Sequence, residues 1–281
     1  MYQIIFFDID GTLRDESYGI PRSTKTAIKM CKEKGYYVCL CTGRNIGAIY
    51  DDVLELEMNG TIASGGAYIK FENKVIREKF FPANKLEEVA LYLKSVNKQT
   101  AFTFETNDIV FMNEEAVRIL ECLNDEKFRV LTNEEKIYVR ENEKITYKNN
   151  IDKLNSNTFK VNKICLWSNE EIFEKITQIF SKEKIEVAQS FKFDTRNYYE
   201  IIQKDCNKGD AIIELCKNLN IPIEKTMAFG DGRNDIDMLK KVGTAIGMKS
   251  GSMEIFKHVD SICEDPFSNG IYLELKRRNV I

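Results

Sequence analysis

Apolar residues run almost unbroken from Gln3 to Ile9, a stretch too short for a helix and suited to a strand buried on both faces of a parallel sheet. Helical spacing follows from about Ser23 to Lys34 and stops at Gly35, where a left-handed cap is natural. Tyr36 to Cys41 reads as a second buried strand, Thr42-Gly43-Arg44 as a loop and Ile46 to Leu56 as a helix. This alternation predicts an α/β fold.

From Thr61 to Phe81 the pattern shortens to β segments broken by Gly65-Gly66 and Glu72-Asn73. A helix capped by Asn84 is expected next, with Leu86, Val89, Ala90 and Leu93 on one face. The Asn-, Lys- and Glu-rich stretch that follows predicts strands at Ala101 to Thr106, Val161 to Trp167 and Tyr198 to Ile202, with helices at Glu114 to Leu123 and Glu170 to Ser181. After it the first rhythm returns: a helix from Gly209 to Leu219, a strand from Thr226 to Phe229, a helix around Ile236 to Lys241, a strand at Thr244 to Ile246 and terminal helices. The expected division is a discontinuous core of residues 1–82 and 205–281 with an α/β module of residues 83–204 inserted into it. A cleft between two such units is where a ligand binds.

Composition narrows the chemistry. With 281 residues, 43% of them hydrophobic, and a net charge of -3, the chain is long and apolar enough to bury a core. Its single histidine, His258, argues against a multi-histidine zinc site or a histidine-based triad, leaving carboxylates, lysine or a hard metal. The acidic balance, with a pI near 5.6, lacks the footprint of a nucleic-acid binder. No stretch reaches the ~18 apolar residues of a membrane span, and no secretory leader is evident, so a cytoplasmic protein is expected. The eight cysteines follow neither zinc nor disulfide spacing and read as buried thiols. Cys39 and Cys41 would share one face of a strand, where ordinary packing accounts for them.

Asp8-Ile9-Asp10-Gly11-Thr12-Leu13 stands where the first buried strand ends, the binding edge of an open parallel sheet. A strand would turn both carboxylates to one side, and such a pair needs a bound cation or a shared proton. A calcium loop is disfavoured because Thr12 and Leu13 occupy positions where it needs an oxygen ligand and a glycine. Gly230-Asp231-Gly232-Arg233-Asn234-Asp235 ends another apolar strand and opens a helix, gathering oxygen ligands of the kind Mg²⁺ prefers. Thr42-Gly43 offers a hydroxyl and an N–H for an anion, and Lys208-Gly209 begins a helix that could deliver an ammonium, although a surface position is ordinary for a lysine in this Lys-rich chain.

These four pieces in this order resemble the haloacid-dehalogenase-like (HAD) phosphohydrolases, and more narrowly their Cof-type (IIB) branch, whose large α/β cap is inserted between the second and third motifs. The resemblance spans the chain and implies a Rossmann-like parallel-sheet core with an inserted α/β cap domain. It further implies that Asp8 is the nucleophile and Asp10 the general acid/base. Thr42, the Gly43 N–H and Asn234 would hold the phosphoryl group, and Lys208 would steady nucleophile and phosphate. Mg²⁺ would be held by Asp231 beside Asp8 and the Asp10 carbonyl, with Asp235 completing the site. Gly65 falls where this branch often carries an asparagine, which preserves the turn and removes a side chain that could touch substrate.

The resulting expectation is a Mg²⁺-dependent phosphatase for small phosphate monoesters, sugar phosphates or a phosphorylated cofactor such as pyridoxal phosphate, working through an aspartyl phosphate. Its partner is a small phosphorylated molecule, with neither nucleic acid nor membrane, and the chain is a monomer or weak homo-oligomer. Tyr198-Tyr199-Glu200 is a candidate substrate contact that also fits an ordinary cap strand. The alternatives are a phosphosugar mutase sharing Asp8 and Asp10, and a non-catalytic binding protein on the same fold. The latter would have no use for a full set of mutually repelling carboxylates.

Overall fold

The computed structural model describes residues 2–15, 17–96, 100–142, 147–150, 160–182 and 184–281. The chain starts with β1 (Ile4–Phe7), α1 (Arg22–Glu33), β2 (Tyr37–Cys41), the short α2 (Asp51–Leu54), β3 (Gly60–Ala63), β4 (Tyr68–Phe71) and β5 (Lys74–Glu78). A second group comprises α3 (Ala83–Ser95), β6 (Ala101–Glu105), β7 (Val110–Met112), α4 (Glu114–Val130), α5 (Asn133–Asn142), β8 (Tyr147–Asn150), β9 (Lys163–Ser168), α6 (Glu170–Ile179), β10 (Ile185–Phe193) and β11 (Arg196–Gln203). The chain closes with α7 (Lys208–Asn218), β12 (Thr226–Gly230), α8 (Ile236–Lys241), β13 (Thr244–Met248), β14 (Ser261–Cys263) and α9 (Gly270–Arg277).

Among the described residues the strands form two sheets, one of eight strands in the order β14-β13-β12-β1-β2-β3-β4-β5 and one of six in the order β10-β11-β9-β6-β7-β8. The first is parallel from β14 to β3 and ends in the antiparallel pairs β3–β4 and β4–β5. The second is antiparallel except for β7–β8. The α/β architecture is therefore a Rossmann-like core into which a second α/β unit is inserted, as expected.

The unbroken apolar run of β1 has a direct cause. Ile5 and Phe7 pack with Ala27, Ile28, Ile271 and Leu275 of α1 and α9, while Ile4 and Phe6 pack with Ala211, Ile212 and Leu215 of α7. Helices cover both faces, so neither parity of the strand can be polar. In the second sheet one face holds Phe102, Phe104, Ile164, Leu166 and Ile201 against α3 and α6, and the other meets α4 through Ala116 and Ile119.

The structure departs from the sequence reading in several places. The helix expected over Ile46 to Leu56 is a 3₁₀ turn at Ile46–Ala48 followed by α2, because Ile49 and Tyr50 are extended. The Tyr50 ring there takes the guanidiniums of Arg14 and Arg44 at 3.6 and 4.2 Å from its centroid. The cap of α3 is Pro82 rather than Asn84, its carbonyl accepting the first helical bonds from Lys85 and Leu86. β7, α5, β8 and β10 were not foreseen. β8 and β10 are the edge strands of the second sheet; β8 is short and polar, whereas the β10 sequence carries Ile185, Val187, Phe191 and Phe193 on one strand parity, a signal the sequence reading passed over. Part of the expected C-terminal helical region is instead the edge strand β14. Among the described residues, no helix is long and apolar enough to cross a membrane.

Candidate active site

Strand register builds the site. Phe7 is paired with Leu40 of β2 and with Phe229 of β12, so the three strands end level. Asp8, Thr42 and Asp231 thus emerge side by side at one edge of the sheet, where β1 adjoins neighbours from the two ends of the chain. Such a switch point opens a crevice in any parallel sheet.

Lys208, the first residue of α7, lies below Asp8. The helix start is fixed by Asn207, whose side chain accepts the Asp210 N–H at 2.8 Å. The Lys208 ammonium donates to Asp8 Oδ1 at 2.5 Å and to Asp235 Oδ1 at 2.6 Å, and the three residues are 2%, 5% and 0% exposed. Burial alone would discharge the ammonium, yet the carboxylates of Asp235 and Asp8 outweigh it and hold Lys208 protonated above the ordinary lysine range. The Asp8 carboxyl is pushed up by burial and by the charges of Asp235 and Asp10, with Lys208 opposing them.

Asp235 braces the loop before α8: its Oδ2 accepts the N–H groups of Asp231 and Gly232 at 3.0 and 2.9 Å. Asp231 in turn accepts from the Thr12 hydroxyl at 3.0 Å. Burial, with the nearby Asp235 and Asp10 charges, raises the Asp231 carboxyl to about 6 despite the Thr12 hydrogen bond and Lys208. The Asp231 carboxylate lies against Gly11, whose φ is +77° and where a Cβ would fall 2.4 Å from Oδ2. Any other residue there would meet both backbone strain and a clash.

Asp8, Asp231 and Asp235 each bring a carboxylate oxygen within 4.8 Å of the others. The donors are hard oxygens, and among the described residues Lys208 alone of the cluster's contacts supplies a positive charge, so the set fits a divalent cation. The Asp10 side chain stands apart, gripped by Arg44 through Nε–Oδ2 at 2.6 Å and Nη2–Oδ1 at 2.9 Å. Arg44 escaped the sequence reading because its loop was valued only for Thr42 and Gly43. A bidentate Arg–carboxylate fork joins groups 34 residues apart and leaves no local trace.

Thr42 is buried and its hydroxyl accepts the Arg44 N–H at 3.1 Å. A Cβ on Gly43 would sit 3.6 Å from the Asn234 amide nitrogen, so these two expected phosphate contacts lie near each other beside the crevice. Gly65, with φ +64°, donates to the Thr42 carbonyl at 3.1 Å, and Ser64 donates to the Arg44 carbonyl at 2.8 Å. The glycine turn after β3 therefore props up the Thr42 loop and adds no side chain to the cleft.

Asp8, Asp10, Thr42, Gly43, Arg44, Gly65, Lys208, Asp231 and Asn234 line a cleft of about 790 Å³ whose opposite wall is the inserted sheet, including Thr103, Glu105, Lys163, Cys165, Trp167, Tyr198 and Glu200. Tyr198 and Glu200 face the cleft, whereas Tyr199 turns to the other face and stacks on Phe173 with ring centroids 4.0 Å apart. Strand alternation thus divides the Tyr-Tyr-Glu triplet.

A fold with this edge and this cleft is that of the haloacid dehalogenase-like hydrolases, whose family model matches residues 5–275. The chain belongs to that family, and it is an enzyme of the family's phosphatase kind, as the four motifs implied. Relatives include the putative phosphatase YkrA of Bacillus subtilis, 24% identical over 99% of this chain and 98% of that one. The HMP-PP phosphatase of Escherichia coli O157:H7 is also 24% identical, over 88% of this chain and 84% of its own. Among solved structures, a hypothetical protein of Geobacillus kaustophilus HTA426 superposes with a TM-score of 0.79 at 24% identity over 100% of both chains. The HAD subclass IIB sugar phosphatase BT4131 gives 0.77 at 21% identity, covering 99% of this chain and 100% of that one.

Proposed function

We propose that this protein is a Mg²⁺-dependent phosphatase of small phosphate monoesters that works through a phosphorylated Asp8. The observation that carries this is the buried Asp8–Lys208–Asp235 array, joined by Asp231, at the floor of a cleft large enough for a small metabolite. Residues 1–82 and 205–281 would serve as the catalytic core and 83–204 as the cap. The relative named for HMP-PP and the sugar phosphatase among the structural neighbours support a small phosphorylated metabolite, such as a sugar phosphate, as substrate. Eight free thiols, seven of them buried, support a reducing, cytoplasmic setting.

Asp8, Asp231 and the Asp10 backbone carbonyl would hold the ion, with Asp235, whose oxygens accept from Lys208 and from the Asp231 and Gly232 N–H groups, fixing the loop beside it. When bound, Mg²⁺ supplies positive charge against a phosphate monoester that carries roughly two negative charges near neutral pH. Lys208 holds one Asp8 oxygen and orients the other toward the phosphorus. Thr42, the Gly43 N–H and Asn234 receive the phosphoryl oxygens. Asp8 attacks in line, forming the Asp8–phosphorus bond as the ester bond breaks, and Asp10 gives its proton to the leaving alkoxide. Asp10 then takes a proton from the water that cleaves the aspartyl phosphate. To act as an acid, Asp10 must be freed at one oxygen from the Arg44 fork.

The test is phosphate release from a panel of phosphorylated metabolites. Activity is expected with Mg²⁺, to vanish in EDTA, to return on Mg²⁺ addition and to be poor with Ca²⁺, whose looser, higher coordination misplaces the nucleophile. Full turnover in EDTA after exhaustive dialysis would sink the metal assignment.

A further inference from the structure

The roof of the cleft carries a charged cluster that the catalytic chemistry does not use. Cross-strand register sets it out in rows: Thr103 opposite Cys165 opposite Glu200, and Glu105 opposite Lys163 opposite Ile202, with Glu186 of β10 beyond. The Lys163 ammonium lies 3.2 Å from Glu105 and 3.7 Å from Glu200, and the Tyr198 hydroxyl donates to Glu200 at 2.9 Å. Burial opposes the charge on Lys163, but Glu105 and Glu200 overcome it and keep the ammonium protonated.

Among the described residues, three carboxylates, Glu105, Glu186 and Glu200, thus face the cleft from the roof against one ammonium. The other cations on the lining are committed on the core side: Arg44 to Asp10, Lys208 to Asp8 and Asp235, and Arg233 to Glu254. A second observation points to a ligand. Among the described residues, Thr103 Oγ1 and Trp167 Nε1 are buried without a hydrogen-bond partner, on residues 3% exposed that line the same cleft. Buried polar atoms in native proteins are satisfied in nearly every case.

We infer that the excess of carboxylate on this roof selects neutral or cationic leaving groups rich in hydrogen-bond donors and rejects those bearing a second anionic group. Glu105 and Glu200 accept from hydroxyl or ammonium donors, Thr103 and Trp167 add the polar contacts they lack, and Trp167 with Tyr198 offers an aromatic surface, their rings 4.7 Å apart. A carboxylate brought to the same place meets an excess of like charge, which works as a rejecting element.

The inference rests on the phosphatase reading, and its test keeps the two apart. Glucosamine 6-phosphate, glucose 6-phosphate and 6-phosphogluconate are of similar size and differ in charge at the far end. For the wild-type protein with Mg²⁺, kcat/KM for phosphate release and Kd by calorimetry should both favour the first two over the third by roughly tenfold or more. Glu105→Gln/Glu200→Gln should reduce that ratio severalfold. Equal use and equal binding of the three by the wild-type protein would overturn the inference, as would a ratio unmoved in a folded double variant. If no phosphate is released from any of them or from p-nitrophenyl phosphate, the phosphatase reading fails, and the order of Kd values still decides the roof.

Discussion

Lys208 in the floor of the cleft and Lys163 in its roof are both inward lysines set between two carboxylates, and they are built in opposite ways. Lys208 joins Asp8, 200 residues away, to Asp235 at 2.5 and 2.6 Å, with its side chain 2% exposed. Lys163 meets cross-strand neighbours at 3.2 and 3.7 Å, with its side chain 12% exposed and that of Glu200 35% exposed. The floor depends on the level ends of three parallel strands, and among the described residues its ammonium has no partner beyond these two carboxylates. The roof rests on an open sheet face, where a longer contact can be exchanged for one to a ligand. Tight, dry pairing suits a group that must stay fixed through a reaction. Looser pairing suits recognition.

The largest effect should come from the floor. Asp8→Asn removes the carboxylate proposed to attack and should lower kcat by about 10⁴-fold or more, with no burst of nitrophenol from p-nitrophenyl phosphate. Asp10→Asn should lose about 10² to 10⁴-fold on alkyl phosphates. With p-nitrophenyl phosphate, whose leaving group needs little protonation, it should show a burst matching the enzyme concentration and then a slow steady state. A burst from Asp8→Asn and none from Asp10→Asn would mean that the two roles are reversed.

Stability distinguishes the two lysines directly. Lys208→Met leaves two buried carboxylates without their ammonium and should cost about 3–5 kcal/mol in urea unfolding without added metal. Lys163→Met strands groups that water reaches more easily and should cost roughly 1–2 kcal/mol. Equal losses would remove the contrast between fixed floor and exchangeable roof.

The smallest effect concerns a cluster outside the cleft. Burial alone would raise the Glu274 carboxyl, but hydrogen bonds from Arg277, Ser261 and Arg278 pull it down to about 2. Because its folded pKa lies below the unfolded value, this group stabilises the protein above the ordinary glutamate range and loses that contribution as pH falls through about 4.5 toward 2. Glu274→Gln should cost about 1 kcal/mol near neutral pH, allowing for solvent screening, and the gap to wild type should close on acidification. A gap constant with pH would mean that packing, rather than charge, accounts for the loss.

The groups the structure gathers at the floor were readable in advance because they stand in short contiguous runs at element ends: Asp8 to Leu13, Thr42-Gly43-Arg44, Lys208-Gly209 and Gly230 to Asp235. Each run begins where an apolar strand or a helix changes character, and that change is local information. The Arg44–Asp10 fork and the Tyr50 ring beneath Arg44 were not readable, since each joins residues whose spacing follows no helical or strand period.

Sequence by itself determined the α/β class, the strands buried on both faces, the inserted module and the carboxylates and lysine gathered at the core edge, because burial period and turn chemistry act over a few residues. Tertiary structure alone decided which oxygen each ammonium holds, that Tyr198 and Glu200 face the cleft while Tyr199 does not, and that Glu105, Lys163 and Glu200 form one cluster. The physical reason is register: a shift of one residue between strands turns every side chain to the other face, and only the packed sheet fixes that choice.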